Sequence, residues 1–221
     1  MRWLALLVAT FIALPAHAAG RLERFVAFPS HHVDPRNVTV WLPEDYDPKG
    51  TPHAVLYMHD GQNVLDAATA MGGEEWGMDE MLTRLIGEQI VRQTIVVAIA
   101  TPKGRSREYM PRKVFDLLPP AMRRRIAAEQ GGTPSSVHYL RFIVEELKPF
   151  IDRNYRTASD RDNTFIMGAS MGGLISLYAV GEYPQVFGGA GCLSTHWPLF
   201  VMPEAYQTGT LDTEAVTTAF E

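Results

Sequence analysis

The stretch Gly168-Ala169-Ser170-Met171-Gly172-Gly173 decides the fold of this chain. An apolar run, residues 163–167, comes before it, and a second apolar run, residues 174–180, follows it. Strand, tight turn and helix in that order form the context in which Gly-x-Ser-x-Gly presents a nucleophilic serine. The glycines ease a strained turn, and the helix N-terminus brings amide N–H groups to the hydroxyl. We therefore predict that Ser170 is a nucleophile; the alternative is a glycine-rich turn with an inert serine.

The rest of the chain alternates strands and helices. Continuous apolar runs are typical of parallel strands that helices cover on both faces, so we expect an α/β fold with a mostly parallel sheet. Strands are predicted at residues 22–28, 37–42, 54–58, 94–100, 163–167 and 189–193, and helices at 78–91, 136–155 (with a kink at Pro149) and 171–182. Residues 102–134 fit no regular pattern. We expect them to form a rim or lid over the site.

The N-terminus has the features of a bacterial secretory signal. Arg2 supplies the positive start, residues 3–14 an apolar run, and Ala16-His17-Ala18 a small-x-small cleavage site. Signal peptide 1–18 would leave one domain, residues 19–221, in the periplasm or outside the cell. An uncleaved membrane anchor is the alternative. After removal of the signal we expect no stable membrane span.

Composition narrows the classes of partner. The 221 residues carry a net charge of −5 without a block of like charges, which disfavours nucleic-acid binding. Cys192 is the only cysteine, so no intrachain disulfide can form, and its apolar neighbours predict a buried position. We find no His or Cys spacing typical of a metal site, and we expect neither a metal nor a cofactor.

A nucleophilic serine needs an oxyanion hole, which is a pair of hydrogen-bond donors for the charge that develops on the carbonyl oxygen. One predicted donor is the backbone N–H of Met171, directly after Ser170. The other is the N–H of Gln62, in the loop His59-Asp60-Gly61-Gln62-Asn63 that follows the third predicted strand. An ordinary strand-end turn is the alternative for this loop.

These segments resemble the esterase D-like branch of the α/β-hydrolase superfamily, which includes enterochelin-esterase-type and feruloyl-esterase-type enzymes. The resemblance implies a three-layer α/β sandwich and serine-dependent hydrolysis of carboxylic esters or thioesters without a metal or organic cofactor. It also implies a small-molecule, carbohydrate or siderophore-type ester as the substrate, and it leaves the oligomeric state open. The segments that carry it are 56–63 (Leu-Tyr-Met-His-Asp-Gly-Gln-Asn), 76–79 (Trp-Gly-Met-Asp), 146–149 (Glu-Leu-Lys-Pro), 168–174 and 183–188 (Tyr-Pro-Gln-Val-Phe-Gly).

The catalytic triad departs from the pattern of this fold, in which an acid and then a histidine follow the serine. Only Glu182 and His196 follow Ser170 in that order. Glu182 would lie about 18 Å from Ser170, because twelve helical residues separate them. We therefore expect the last strands, the acid and the histidine to lie beyond Glu221. His196, beside Trp197, is either part of the site wall or the base.

Two functions remain open at this stage. The first is a serine-dependent ester hydrolase that acts through an acyl-enzyme on Ser170, with transfer to another alcohol as a variant. The second is a hydrolase-fold binding protein, or an inactive fragment, that lacks the acid and the base.

Overall fold

A six-stranded sheet organises the part of the chain that the computed structural model describes, residues 20–101 and 103–197. The predicted signal peptide and residues 198–221 lie outside the described residues. The strands are β1 (Arg21–Phe28), β2 (Arg36–Leu42), β3 (Ala54–Met58), β4 (Thr94–Ile99), β5 (Thr164–Ala169) and β6 (Gly189–Leu193). Their order is β1-β2-β4-β3-β5-β6. Each strand lies within two residues of its predicted bounds.

The sheet is mostly parallel, as predicted. β2 runs antiparallel to both of its neighbours, whereas the other three described pairings are parallel. All six side chains of β4 are buried, because it lies inside the sheet with layers on both faces. This agrees with the continuous apolar run from which the strand was predicted.

Helices cover both faces of the sheet and complete the three layers. They are α1 (Met78–Gly87), α2 (Arg105–Tyr109), α3 (Arg112–Leu117), α4 (Pro120–Gln130), α5 (Ser136–Arg141), α6 (Lys148–Asn154) and α7 (Met171–Glu182). Side chains of α5 to α7 pack on one face, with Val38 and Val40 of β2, while α1 packs on the other face, with Trp41. No helix within the described ranges has both the length and the apolar character needed to cross a bilayer.

Helix α1 ends four residues before its predicted end. Gln89 adopts a left-handed backbone conformation with φ of 58°, and the amides of Ile90 and Val91 turn back to the carbonyl of Leu85. A left-handed residue stops the helical hydrogen-bond ladder. The apolar side chains at 90 and 91 had extended the predicted helix.

The second predicted helix changes type in its middle. Between α5 and α6, residues Phe142–Leu147 form π-helical turns that end shortly before Pro149. Proline has no amide hydrogen, so the carbonyl four residues earlier has no α-helical partner. The irregularity predicted at Pro149 therefore takes the form of a wider helix on its N-terminal side.

The prediction that residues 102–134 lack regular structure was wrong, because this segment contains α2, α3 and α4. Pro111, Pro119 and Gly131 separate these helices, and two of them are too short to show a helical repeat. They have a small core of their own against α7. Its buried side chains are Met110, Val114, Phe115, Leu118, Ile126 and Leu174.

The prediction that Cys192 is buried was also wrong. Its side chain is exposed in the described part of the chain. Strand β6 is the last strand in the order of the described sheet, and its last two residues are open to solvent. A strand at the edge of a sheet and a strand in its centre can have the same apolar sequence pattern, so the sequence does not distinguish them.

Candidate active site

Ser170 stands on a sharp turn between the end of β5 and the start of α7. Its backbone has φ of 57° and ψ of −121°, a strained conformation for a residue with a side chain. The residue is exposed. The strain lies at Ser170 itself, whereas the glycines supply room. A Cβ added at Gly168 would lie 2.7 Å from the backbone carbon of Gly172. Only glycine at 168 lets strand and helix come this close.

Backbone hydrogen bonds hold Ser170 on both sides. Its N–H donates to the carbonyl of Leu193 at 2.9 Å, and its carbonyl accepts from the N–H of His196 at 3.1 Å. The turn after β6 therefore fixes the serine backbone. The strained residue Ser194, with φ of 41°, lies in the same turn.

The backbone of His196 contacts the backbone of Ser170. Its imidazole makes no hydrogen bond to the Ser170 hydroxyl within the described residues. Partial burial lowers the pKa of His196, and the nearby guanidinium of Arg105 lowers it further. Both effects favour the neutral imidazole, which is the form that a general base needs. The next residue, Trp197, is 48% exposed.

The loop after β3 contains the other predicted donor, Gln62. Asp60 adopts a left-handed conformation with φ of 55°, and residues Gly61–Asn63 form a single 3₁₀ turn. Gly61 lies against β4: a Cβ there would approach the backbone carbon of Ala98 to 2.5 Å. The side-chain oxygen of Gln62 accepts from the N–H of Thr101 at 3.0 Å, which fixes the loop to the residue two positions after β4.

The structure brings this loop against the serine turn. A Cβ added at Gly172 would lie 3.4 Å from Asp60 Oδ2 and 3.5 Å from His59 Cβ. The N–H groups of Gln62 and Met171 donate no hydrogen bond to another described residue. Met171 is the first residue of α7, where a helix has no internal acceptor for the amide. Within residues 20–101 and 103–197, neither predicted donor therefore has a hydrogen-bond acceptor.

Sequence reasoning missed the ion pair between Arg105 and Asp60. Arg105 begins α2 and donates from Nε and Nη2 to the two carboxylate oxygens of Asp60, each at 2.7 Å. It also donates to the carbonyl of Ala169 at 3.4 Å, one residue before the serine. The bond to Asp60 raises the pKa of Arg105, which stays charged. No sequence signal marked Arg105, because its segment had no predicted structure.

A buried polar cluster lies beneath the loop. His59 is fully buried, and its Nδ1 lies 2.7 Å from the hydroxyl of Tyr139. Burial lowers the pKa of His59 to about 3, so the ring is neutral near pH 7. The hydroxyl of Tyr109 accepts from the N–H of Asp60 at 3.2 Å. His59 therefore supports the loop from below and does not face the solvent.

One further candidate residue, Glu182, can be placed. Glu182 accepts a hydrogen bond from Lys113 at 2.6 Å, near the C-terminal end of α7, in agreement with its exclusion as the triad acid. Among residues 20–101 and 103–197, no three His, Cys, Asp or Glu side chains are grouped as metal ligands.

Residues 32–210 match the family model Esterase, described as "Putative esterase". The chain belongs to this esterase family. The match includes the serine turn, the Gln62 loop and the helices α2 to α4, and it confirms the resemblance drawn from the sequence motifs.

Relatives and solved structures agree with this family. The uncharacterized protein YbbA of Bacillus subtilis (strain 168) is 27% identical over 168 residues, which is 76% of this chain and 60% of that protein. The ferri-bacillibactin esterase BesA of the same organism is 31% identical over 152 residues, 68% of this chain and 50% of that protein. An IroE-like serine hydrolase from Shewanella oneidensis has a TM-score of 0.60 at 23% identity, with 90% of this chain and 56% of that chain covered.

The last of these similarities shows the fold alone. The chain spans between half and 60% of the length of the two curated relatives.

Proposed function

We propose that this chain is a serine esterase that cleaves carboxylic esters or thioesters through an acyl-enzyme on Ser170. The observation that carries the proposal is the combination of an exposed, strained serine with two backbone amides that have no partner among the described residues, those of Met171 and Gln62. Strained backbone is concentrated at functional sites, where the surrounding structure holds it in place, so the conformation of Ser170 supports a functional role.

The chemistry follows from that geometry. A base removes the proton from the Ser170 hydroxyl, and Oγ bonds to the carbonyl carbon of the ester. The N–H groups of Met171 and Gln62 donate to the oxyanion, a contribution of roughly 3–4 kcal/mol per donor. The C–O bond then breaks, the alcohol leaves with the proton, and water releases the acid and restores the serine.

The base is the open element of this proposal. The neutral ring of His196 and the bond of its N–H to the serine backbone support a basic role for this residue. The missing hydrogen bond between the ring and the hydroxyl favours the alternative, a hydrolase-fold binding protein that does not form an acyl-enzyme.

The named relatives support a substrate class. Similar proteins include the ferri-bacillibactin esterase BesA and a ferulic acid esterase. We infer a small-molecule substrate in which a siderophore-type or carbohydrate ester is hydrolysed. The predicted signal sequence supports a periplasmic or secreted location.

Labelling with a fluorophosphonate tests the proposal. In this reaction the serine oxygen bonds to phosphorus, fluoride leaves, and peptide mass spectrometry locates the adduct. We expect a single adduct on Ser170 that is lost in Ser170→Ala. Ser106→Ala is the matched control, because Ser106 is also an exposed serine near the site. A folded protein, by circular dichroism, without an adduct would refute the acyl-enzyme and favour the binding protein.

A further inference from the structure

We propose that Arg105 and Asp60 form a positioning pair that holds the Gln62 loop against the Ser170 turn. The inference rests on the proposed function in one respect, namely that Gln62 and Met171 are the oxyanion donors. The tie between the two segments is a separate claim, and it can be tested without turnover.

One guanidinium touches both halves of the oxyanion hole. Arg105 binds the Asp60 carboxylate through two hydrogen bonds of 2.7 Å and the carbonyl of Ala169 through one of 3.4 Å. Asp60 lies two residues before Gln62, and Ala169 lies two residues before Met171. The same side chain therefore sets the distance between the two segments that present the donors.

Hydrogen bonds connect Asp60 to Gln62, so a displacement of Asp60 would also displace the donor. Thr101 joins both ends of this stretch. Its hydroxyl donates to Asp60 Oδ1 at 3.0 Å, and its N–H donates to the side-chain oxygen of Gln62 at 3.0 Å. The Asp60 side chain is only 5% exposed, and its charge is therefore compensated by Arg105 rather than by water.

The helix that contains Arg105 is held against the sheet. This helix, α2, contains Glu108, which forms a buried ion pair with Arg36 of β2 through two hydrogen bonds of 2.8 Å. The Arg105 guanidinium also lies over the ring of Tyr109, 4.8 Å from its centroid. The pair thus connects the loop and the serine turn to a fixed point on the sheet.

This geometry needs arginine. A planar guanidinium offers two parallel donors to a carboxylate and a further N–H to a third acceptor, whereas lysine is a single charged point. Arg105→Lys therefore keeps the charge beside Asp60 but loses the tie to Ala169.

The test combines two measurements on the full chain with Arg105→Lys. The first is the second-order rate constant for fluorophosphonate labelling of Ser170, and the second is amide hydrogen exchange in peptides that cover residues 59–63 and 168–173. We expect labelling to slow by about 10- to 100-fold, because small displacements of catalytic groups have effects of this size. We expect faster exchange in those two segments and unchanged exchange in α6.

Arg141→Lys is the matched control. Arg141 binds Glu145 through Nε and Nη2, as Arg105 binds Asp60, but on the exposed surface of α5. This variant should change neither measurement. Asp60→Asn is a second variant, which removes the charge that Arg105 binds and keeps a side-chain oxygen for the Thr101 hydroxyl.

The outcomes separate the two proposals. Unchanged labelling and unchanged exchange in Arg105→Lys would overturn the positioning pair. If that variant unfolds, exchange in Asp60→Asn decides: loosened 59–63 and 168–173 segments support the pair, and unchanged ones overturn it. If the wild-type protein takes no label, the esterase proposal fails, while the exchange comparison still decides whether the tie exists.

Discussion

The ion pair of Arg36 and Glu108 offers the sharpest test of the energetics of this fold. The Arg36 side chain is 1% exposed and that of Glu108 11%. Two hydrogen bonds of 2.8 Å join them, and the guanidinium lies between 5.2 and 5.3 Å from the ring centroids of Phe142 and Tyr139. Glu108→Gln keeps the shape of the side chain and removes its charge, so that Arg36 remains buried without a counter-charge.

We expect Glu108→Gln to lower the free energy of unfolding by about 3–5 kcal/mol, the usual cost of breaking a buried pair. That is roughly a 10²- to 10⁴-fold change in the ratio of folded to unfolded protein. It is a large part of a typical stability of about 5–15 kcal/mol. The longer bonds from Arg36 to the carbonyl of Asp34, at 3.3 Å, compensate only in part.

The double variant Arg36→Met, Glu108→Leu should be closer to the wild type than Arg36→Met alone or Glu108→Leu alone, since no charge is left unpaired. Urea unfolding at pH 7 gives the free energies, and a double-mutant cycle should show a coupling of about 2–3 kcal/mol. Glu145→Gln, in the exposed pair with Arg141, should leave the urea midpoint unchanged. Additive effects of the two single changes would refute this reasoning.

Three further predictions concern the site and its surroundings. Gly168→Ala should destabilise the fold by about 1–3 kcal/mol through its clash with Gly172, whereas Gly181→Ala, in α7 with no atom within 4 Å, should stabilise it by about 0.5–1 kcal/mol; thermal unfolding of both variants checks this contrast. His59 has a pKa of about 3 in the folded protein and stays neutral there, whereas the unfolded chain takes up the proton below about pH 6.5. The free energy of unfolding should therefore decrease as the pH falls below about 6.5. Between pH 7 and 5 this loss is about 2 kcal/mol, and urea unfolding should show a flatter pH dependence in His59→Gln. Arg105→Gln should raise the pKa of His196, since one of the two effects that lower it is removed, and an NMR titration of the ring would contradict this with an unchanged or lower pKa.

Much of the fold could be predicted from sequence because its signals are local. Strand β4 is a continuous apolar run, and the glycines around Ser170 mark the turn into α7, whose bounds were predicted to the residue. Such patterns depend on neighbours a few positions apart, which is the range over which periodicity can be seen. The Gln62 loop could be named for the same reason, since it directly follows β3.

The rest of the site depends on contacts between distant segments. Arg105 and Asp60 are 45 residues apart, and His59 and Tyr139 are 80 apart. Neither pair has a local pattern, and α2 is too short to show one. The burial of Cys192 was predicted wrongly for a related reason, because the place of β6 in the sheet order is a property of the whole chain.

The backbone bonds of Ser170 to Leu193 and His196 have an evolutionary consequence. The register of the β5–β6 pair determines the position of the hydroxyl, and the side chains of β6 do not. Point substitutions along β6 should therefore be tolerated where they fit the sheet. Insertion or deletion of one residue there would shift the hydrogen-bond register of the strand pair by one residue, and Ser170 would be displaced. Sequence drift in this strand is thus constrained more in length than in composition.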